Sequence, residues 1–187
     1  MIDQTLVLQN SSLVARRTIA VVLGTALVAA AAQVAVPIPG TPVPMTLQPL
    51  AVLIVGGLLG PGLGAMSLIL YLALGAAGLP VFTPVGLPGI ARLIGPTGGY
   101  LLAYPVAAAA VGRIATTGAS LARLTLATLV GLVLIHMGGL AQLAILTGDW
   151  STAARFGTIP FLLVDLLKLA LAVLVLRLTI RPVRARL

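Results

Sequence analysis

The sequence has no cysteine, a single histidine and only three acidic residues among 187. Without cysteine there is no disulfide framework and no thiolate metal site, and one histidine, His136, does not make a metal site alone. Only 7% of the residues are charged, whereas 60% are hydrophobic and the mean hydropathy is +1.20. A water-soluble domain of this length does not need so much apolar surface. The composition therefore excludes an ordinary soluble fold and indicates a membrane protein.

The net charge of +8 does not indicate nucleic-acid binding. The arginines lie at the ends of apolar segments, where membrane proteins place basic residues, and they do not cluster with aromatic residues. Arg16 and Arg17 precede an apolar run that resembles a secretory signal peptide. That run, 19–36, contains 18 uncharged residues. Because a signal-peptide core is shorter, we expect the first membrane helix here.

Apolar runs separated by prolines, glycines or arginines predict one all-α domain of six membrane helices, since about 20 apolar residues cross a bilayer. The predicted helices cover about 17–36, 49–59, 63–79, 98–115, 121–146 and 160–178. Between the first two lies the segment 37–48, PIPGTPVPMTLQ, whose four prolines exclude a regular helix because they remove backbone donors. Irregular backbone at membrane depth is tolerated where it lines a cavity, so this segment is a candidate cavity wall.

The basic residues predict that both termini are cytoplasmic. With six crossings, only Arg92 and Arg155 lie on the external side, and eight arginines fall at cytoplasmic ends. These eight are Arg16, Arg17, Arg113, Arg123, Arg177, Arg181, Arg184 and Arg186. The connections 37–48 and 80–97 then share the external side with the amino-terminal ends of the second, fourth and sixth helices. Helix amino termini carry partial positive charge, so this side suits an anionic ligand group.

Asp165 and Lys168 give the strongest indication of function, because they place a carboxylate and an ammonium three residues apart in the apolar run 161–176. This spacing puts both on one helix face, where each is the natural partner of the other. Ionisable groups inside a membrane helix are costly and indicate a functional site. The alternative is a neutralised structural pair that fixes the last helix against its neighbours.

Other polar residues give weaker indications. Arg92 precedes the run GPTGGY, where it is suited to bind a carboxylate, although an interfacial arginine facing lipid head groups is the alternative. Thr46 and Gln48 are neutral hydrogen-bonding groups beside the second helix. We expect His136 to be a hydrogen-bonded core histidine. Two glutamines, Gln33 and Gln142, are expected to form hydrogen bonds between helices.

The first helix carries a stripe of small residues that would let another helix approach closely. The stripe is either a face for a partner protein or a packing surface inside the bundle. It consists of Ala26, Ala29, Ala30, Ala31, Ala32 and Ala35.

Three sequence blocks carry a family resemblance: VPMTLQPLAVLIVGGLLGPGLGAMSLILYLALGAAGLPVF (43–82), RLIGPTGGYLLAYP (92–105) and the D-x-x-K of Asp165 and Lys168. They are similar to BioY, the family of biotin-specific substrate-binding (S) subunits of energy-coupling factor (ECF) vitamin transporters. The resemblance implies a six-helix, non-enzymatic protein of the bacterial plasma membrane that binds biotin near the external face. It also implies a transmembrane coupling subunit and two cytoplasmic ATPase subunits as partners. Ala26, Ala30, Ala31 and Ala35 match the motif that docks on the coupling subunit in that family.

Biotin fits the polar residues at both of its ends. Its ureido ring has two N–H donors and a carbonyl acceptor, which suit Asp165 together with Lys168 or Gln48. Its carboxylate suits Arg92, although Lys168 could bind the carboxylate instead while Arg92 closes the loop. The remaining predicted contacts are Thr46, the helix-start glycines Gly98 and Gly99, and the apolar or aromatic Met45, Phe82 and Tyr100.

Two other functions stay open at this point. The chain could bind another vitamin, such as thiamine or riboflavin. It could also be a small intramembrane enzyme that uses Asp165 and His136 as acid and base. That reaction would need both residues in one cavity, and we expect them to lie apart because Asp165 is near the external end of its helix and His136 near the middle of another.

Overall fold

The computed structural model describes the backbone of residues 2–187 and the side chains of residues 12–187. The described chain is helical apart from its connections and one short two-stranded ribbon. Its helices are α1 (Ile2–Gln33), α2 (Gln48–Ala76), α3 (Ala91–Ile94), α4 (Gly98–Ile114), α5 (Leu121–Thr147), α6 (Trp150–Gly157) and α7 (Leu162–Arg184), with a 3-10 turn at Ile159–Phe161. The prediction of an all-α fold is confirmed.

Four stretches of the described chain are long and apolar enough to cross a membrane. They are Ser12–Gln33, Gln48–Ala76, Leu121–Thr147 and Trp150–Arg184. Large apolar side chains on these helices are exposed on the outside of the bundle, among them Leu23, Met66 and Leu163. A lipid environment would cover such side chains, whereas water would not.

α2 is interrupted at Gly60, as the predicted division into two helices requires. Gly60 has φ +80° and ψ −179°, a backbone conformation that a residue with a side chain rarely adopts, and Pro61 follows it. A Cβ atom added to Gly64 would lie 3.1 Å from the Cα atom of Gly56. In a continuous helix, residues eight apart are separated by about 12 Å. The segments 48–59 and 61–76 therefore fold back against each other.

The first helix differs from its prediction at both ends. α1 begins at Ile2 and not near Arg17, because hydropathy marks where a helix becomes apolar and not where it starts. It ends at Gln33 and not at Val36. The following residues leave the helix because Ala35 pairs with Thr46 and Val36 pairs with Met45 in a short antiparallel ribbon of β1 (Ala35–Val36) and β2 (Met45–Thr46). The ribbon closes the segment 37–48, which is not helical, as predicted.

The last helices also differ. α7 starts at Leu162 and continues to Arg184, six residues beyond the predicted end at 178. α6 was not predicted, because it is too short to give an apolar run. Asp149 caps its amino terminus by accepting a hydrogen bond of 2.7 Å from the Thr152 backbone N–H. Hydrogen bonds from Thr152 lower the pKa of the Asp149 carboxyl.

The bundle is built around α2 and α4, which pack closely on each other. A side chain on Gly56 would meet the backbone of Ala108, and one on Gly112 would meet the backbone at Gly60 and Pro61. α5 packs on the other side of α4, α1 packs on α2, and α7 lies against α2 and α5. Small residues thus allow the central helices to approach closely.

Candidate functional site

Asp165 is the centre of a buried polar cluster between α5 and α7. Its Oδ1 accepts a hydrogen bond of 2.8 Å from Lys168 Nζ, and its Oδ2 lies 2.7 Å from His136 Nε2. The exposed fractions of the three side chains are 5%, 4% and 16% for Asp165, Lys168 and His136. The predicted pairing of Asp165 with Lys168 is confirmed. These two partners stabilise the buried carboxylate of Asp165.

The expectation that Asp165 and His136 lie apart is wrong. α5 continues for eleven residues after His136, to Thr147, which is about 16 Å of helix. α6 then packs back along α5, and the 3-10 turn leads into α7. The first turn of α7 therefore lies level with the middle of α5. The expectation placed both residues by counting from the external ends of their helices. That count did not include α6, which returns along α5, so it could not show that Asp165 and His136 are at the same level.

Arg92 on α3 is buried, with only 5% of its surface exposed, so the interpretation as an arginine facing head groups is wrong. Its guanidinium donates to Thr83 Oγ1 at 2.7 Å, to the Thr83 carbonyl at 2.8 Å and to the Val85 carbonyl at 2.6 Å. All three acceptors are neutral, Nε has no partner, and no carboxylate lies within 4.0 Å in the part of the chain whose side chains are described. Burial lowers the pKa of Arg92, but a guanidinium stays charged at neutral pH. Among the described side chains, Arg92 is thus a buried cation without a counter-charge.

Two glutamines hold the connection 80–97 that carries Arg92. Gln142 on α5 donates to the carbonyls of Leu93 and Gly95 at 3.1 and 2.7 Å. Gln33 at the end of α1 donates to the Phe82 carbonyl at 3.2 Å. The prediction that they bond between helices is therefore corrected: their amides bond mainly to loop and short-helix carbonyls, which lack the partners that a regular helix provides.

Thr46 and Gln48 form a second hydrogen-bonded group at the start of α2. Thr46 Oγ1 lies 3.2 Å from Gln48 Oε1 and also accepts from the Gln48 backbone N–H. The Gln48 amide donates to the Tyr71 hydroxyl at 2.7 Å, and Tyr71 is fully buried. The ribbon fixes Thr46, and Tyr71 fixes the orientation of the Gln48 amide.

These groups line one cavity, which we call the Asp165 cavity. Seven of the predicted site residues border it: Thr46, Gln48, Phe82, Arg92, Tyr100, Asp165 and Lys168. The other residues that line the cavity are not among the predicted contacts. They are Val43, Pro44, Pro49, Thr83, Thr97, Leu101, Tyr104, Ile135, His136 and Phe161. Tyr100 and Tyr104 lie one turn apart on α4, and that spacing could have indicated an aromatic wall. Apolar and aromatic walls with a few charged groups at fixed positions are typical of sites for small organic molecules.

Three predicted contacts do not border the cavity. Gly98 and Gly99 begin α4 but face α3 and α5, where added side chains would meet the Leu93 and Gly138 carbonyl oxygens. The positions require glycine because a side chain would meet neighbouring backbone. Met45 lies in β2 and packs against the core next to the cavity. Of the small residues predicted to dock a partner, Ala26 and Ala30 on α1 are exposed and Ala31 on α1 is half-buried. Ala35 is half-buried too, but it lies in β1 and not on the helix where the prediction placed it.

Taken together, the described chain is a helical membrane protein with a cavity that is lined by buried charged groups. A profile of the BioY family matches residues 4–185. "Probable biotin transporter BioY" of Pyrococcus horikoshii is 41% identical over 155 residues, which cover 83% of this chain and 90% of that protein. "Biotin transporter BioY" of Thermotoga maritima is 36% identical over 151 residues, covering 81% and 88%. The chain belongs to the BioY family.

The fold agrees with this assignment. A crystal structure of the S-component for biotin from an ECF-type ABC transporter matches with a TM-score of 0.80 and 30% identity, over 90% of this chain and 93% of that chain. The matched proteins are transporters or a transporter component, so this chain is not an enzyme.

Proposed function

We propose that this chain is the biotin-binding subunit of an uptake transporter and that biotin binds in the Asp165 cavity. The cavity offers an anionic acceptor at Asp165 and a buried cation, Arg92, that has no counter-charge among the described side chains. Biotin carries N–H donors at its ureido ring and a negative charge at its carboxylate. The carboxylate would supply the charge that Arg92 lacks, and this is the observation that carries the proposal. Names of the relatives support the same ligand.

In this proposal the ureido ring binds to Asp165 and Lys168, and Gln48 is a further polar contact. Lys168 donates to the ureido carbonyl while it stays paired with Asp165. Phe82 and Tyr100, together with Tyr104 and Phe161, provide apolar surface for the bicyclic ring and its side chain. Thr46 acts by orienting the Gln48 amide.

We also propose that the chain crosses the membrane six times, with both termini in the cytoplasm. The division of α2 at Gly60 supports six segments, namely α1, 48–59, 61–76, α4, α5 and α7. Arg184 on α7 donates to the carbonyls of Gly57 and Gly112, which brings the end of α7 beside the Gly60 break and the end of α4. Arg17 Nε donates to the Leu187 carbonyl near the same end. These contacts bring basic residues of α1 and α7 to one end of the bundle, which supports its placement on the cytoplasmic side of a bacterial plasma membrane.

Energy for uptake comes from partner ATPases through a transmembrane coupling subunit. The exposed Ala26 and Ala30 on α1 support a docking face, because small residues let a partner helix approach closely. Ala30→Leu should reduce copurification of the coupling subunit without changing biotin affinity. Ala122→Leu, at an exposed alanine of α5, is the matched control and should reduce neither. Equal copurification of both variants with the coupling subunit would contradict the docking face.

Ligand identity is tested by titrating the purified protein with radiolabelled biotin and competing with unlabelled biotin, thiamine and riboflavin. The proposal predicts saturable binding that only unlabelled biotin displaces. Displacement by thiamine or riboflavin at lower concentration than biotin would assign the chain to a different vitamin. Absence of saturable biotin binding by protein that melts cooperatively would refute the proposed ligand.

A further inference from the structure

His136 has one ring nitrogen in use and one without a partner. Nε2 lies 2.7 Å from Asp165 Oδ2, whereas Nδ1 is buried and has no hydrogen-bond partner among the described residues. The ring borders the Asp165 cavity, and the Tyr100 ring packs edge-on against it with centroids 6.1 Å apart. Leaving a buried polar atom unpaired is costly, so this nitrogen calls for an explanation.

The surroundings of the ring determine which nitrogen carries the proton. Asp165 is paired with Lys168 at 2.8 Å and is an ionised acceptor, so Nε2 must be the donor in the bond to Oδ2. A proton on Nδ1 as well would make His136 a second cation on one carboxylate, in a cavity that Arg92 also borders. That proton would also be a buried donor without an acceptor. The neutral ring with hydrogen on Nε2 and a lone pair on Nδ1 satisfies both conditions.

We propose that Nδ1 of His136 accepts a hydrogen bond from an N–H group of the bound ligand. The inference rests on the proposed function, in which a ureido ring lies at Asp165. Asp165 then has two roles: it accepts hydrogen bonds itself, and it fixes the tautomer that makes Nδ1 an acceptor. His136 and Asp165 present two neighbouring acceptors, and the ureido ring of biotin presents two N–H donors.

This arrangement makes His136 a specificity-determining residue. A ligand with a carbonyl oxygen or a C–H at this position would leave Nδ1 unpaired or place two acceptors together. Buried polar groups that lose their partner discriminate strongly between ligands, more than an apolar wall does. The site therefore selects a cyclic urea or a related ring with N–H groups.

The sequence offers an unusually direct test because His136 is the only histidine. Protein labelled with 15N-histidine in nanodiscs gives imidazole resonances from this ring alone. The inference predicts an unprotonated Nδ1 without biotin, and an upfield shift of the Nδ1 resonance when biotin saturates the site. A protonated Nδ1 before biotin is added, or an Nδ1 resonance that saturating biotin does not move, would overturn it.

The variant His136→Phe provides a second readout. It keeps an aromatic ring beside Tyr100 but has no acceptor in place of Nδ1 and no donor to Asp165. Biotin affinity should fall roughly ten- to hundredfold with the melting temperature preserved. Unchanged affinity in the folded variant contradicts the inference, and if the variant does not fold, the wild-type resonance decides. Failure of the wild type to bind biotin refutes the proposed function itself, whereas bound biotin with an unmoved Nδ1 resonance refutes only the role of His136.

Discussion

Lys168 Nζ lies 2.8 Å from Asp165 Oδ1 on the preceding turn of α7, and at most 5% of either side chain is exposed. A buried pair of this kind is stabilised by mutual attraction, but taking both charges out of water costs nearly as much. The pair is therefore poorly explained as a device for stability. It is better explained as a prepared set of donor and acceptor groups that the ligand completes.

A double-mutant cycle on this pair should separate binding from folding. Lys168→Met leaves Asp165 as a buried carboxylate with only His136 beside it, and we expect a loss of about 3–5 kcal/mol in stability. Asp165→Asn combined with Lys168→Met should recover much of that loss, because no unpaired charge remains. Biotin binding should stay lost in the double variant. Thermal melting and biotin titration of all four proteins give the cycle, and recovery of binding together with stability would contradict a ligand role for the pair.

Arg92 should recognise the ligand's carboxylate. Arg92→Gln is expected to weaken biotin binding by roughly tenfold or more, because a charge-assisted hydrogen bond is lost. Binding of biotin amide, which has no negative charge, should be weak in the wild type and change little in the variant. Arg155→Gln removes an exposed arginine and is the matched control. If Lys168 holds the carboxylate instead, Arg92→Gln will weaken biotin and biotin amide by the same factor.

Gly99 should matter for packing and not for ligand contact. A side chain there would meet the Gly138 carbonyl oxygen, so Gly99→Ala is expected to cost about 1–3 kcal/mol through overpacking between α4 and α5. An added Cβ at Gly62 meets nothing within 4 Å, and Gly62→Ala should leave stability unchanged or slightly higher. Melting temperatures of the two variants in the same detergent provide the comparison. Equal melting temperatures would argue against close contact of α4 with α5 at this point.

Arg184 should hold together the end of the bundle where α7, the Gly60 break and the end of α4 meet. Its guanidinium donates to the Gly57 carbonyl at 2.7 Å and to the Gly112 carbonyl at 3.0 Å. Both carbonyls lie near helix ends that lack intrahelical partners. Arg184→Gln should therefore lower stability by about 1–3 kcal/mol without altering biotin affinity. Arg186→Gln, at an exposed position, changes the net charge equally and should have little effect on either measurement.

Local patterns predicted those parts of the molecule that depend on neighbours in sequence. The spacing of Asp165 and Lys168 determines that they share a helix face, and the glycine and proline at 60–61 determine that α2 breaks there. The prolines likewise exclude a helix over 37–48. Each of these results follows from helix periodicity or from backbone restrictions that one residue imposes.

Relations between distant segments could not be predicted in this way. His136 meets Asp165 only because α6 returns along α5, and α6 is too short and too polar to produce an apolar run. Gly98 and Gly99 begin a helix, but only the position of α5 shows that they face a neighbouring backbone and not the cavity. The sequence indicates Arg92 as a candidate site residue. It does not show that Arg92 is buried, because the burial depends on contacts with carbonyls of the loop around Thr83.

Biotin titration of Asp165→Asn beside Asp149→Asn decides whether biotin binds at Asp165. Both variants replace one carboxylate by an amide, but Asp149 is an exposed helix cap that asparagine can replace. Calorimetric titration of folded protein should show biotin affinity reduced by roughly a hundredfold or more in Asp165→Asn, and wild-type affinity in Asp149→Asn. Equal biotin affinity in wild type and Asp165→Asn would show that Asp165 does not bind biotin.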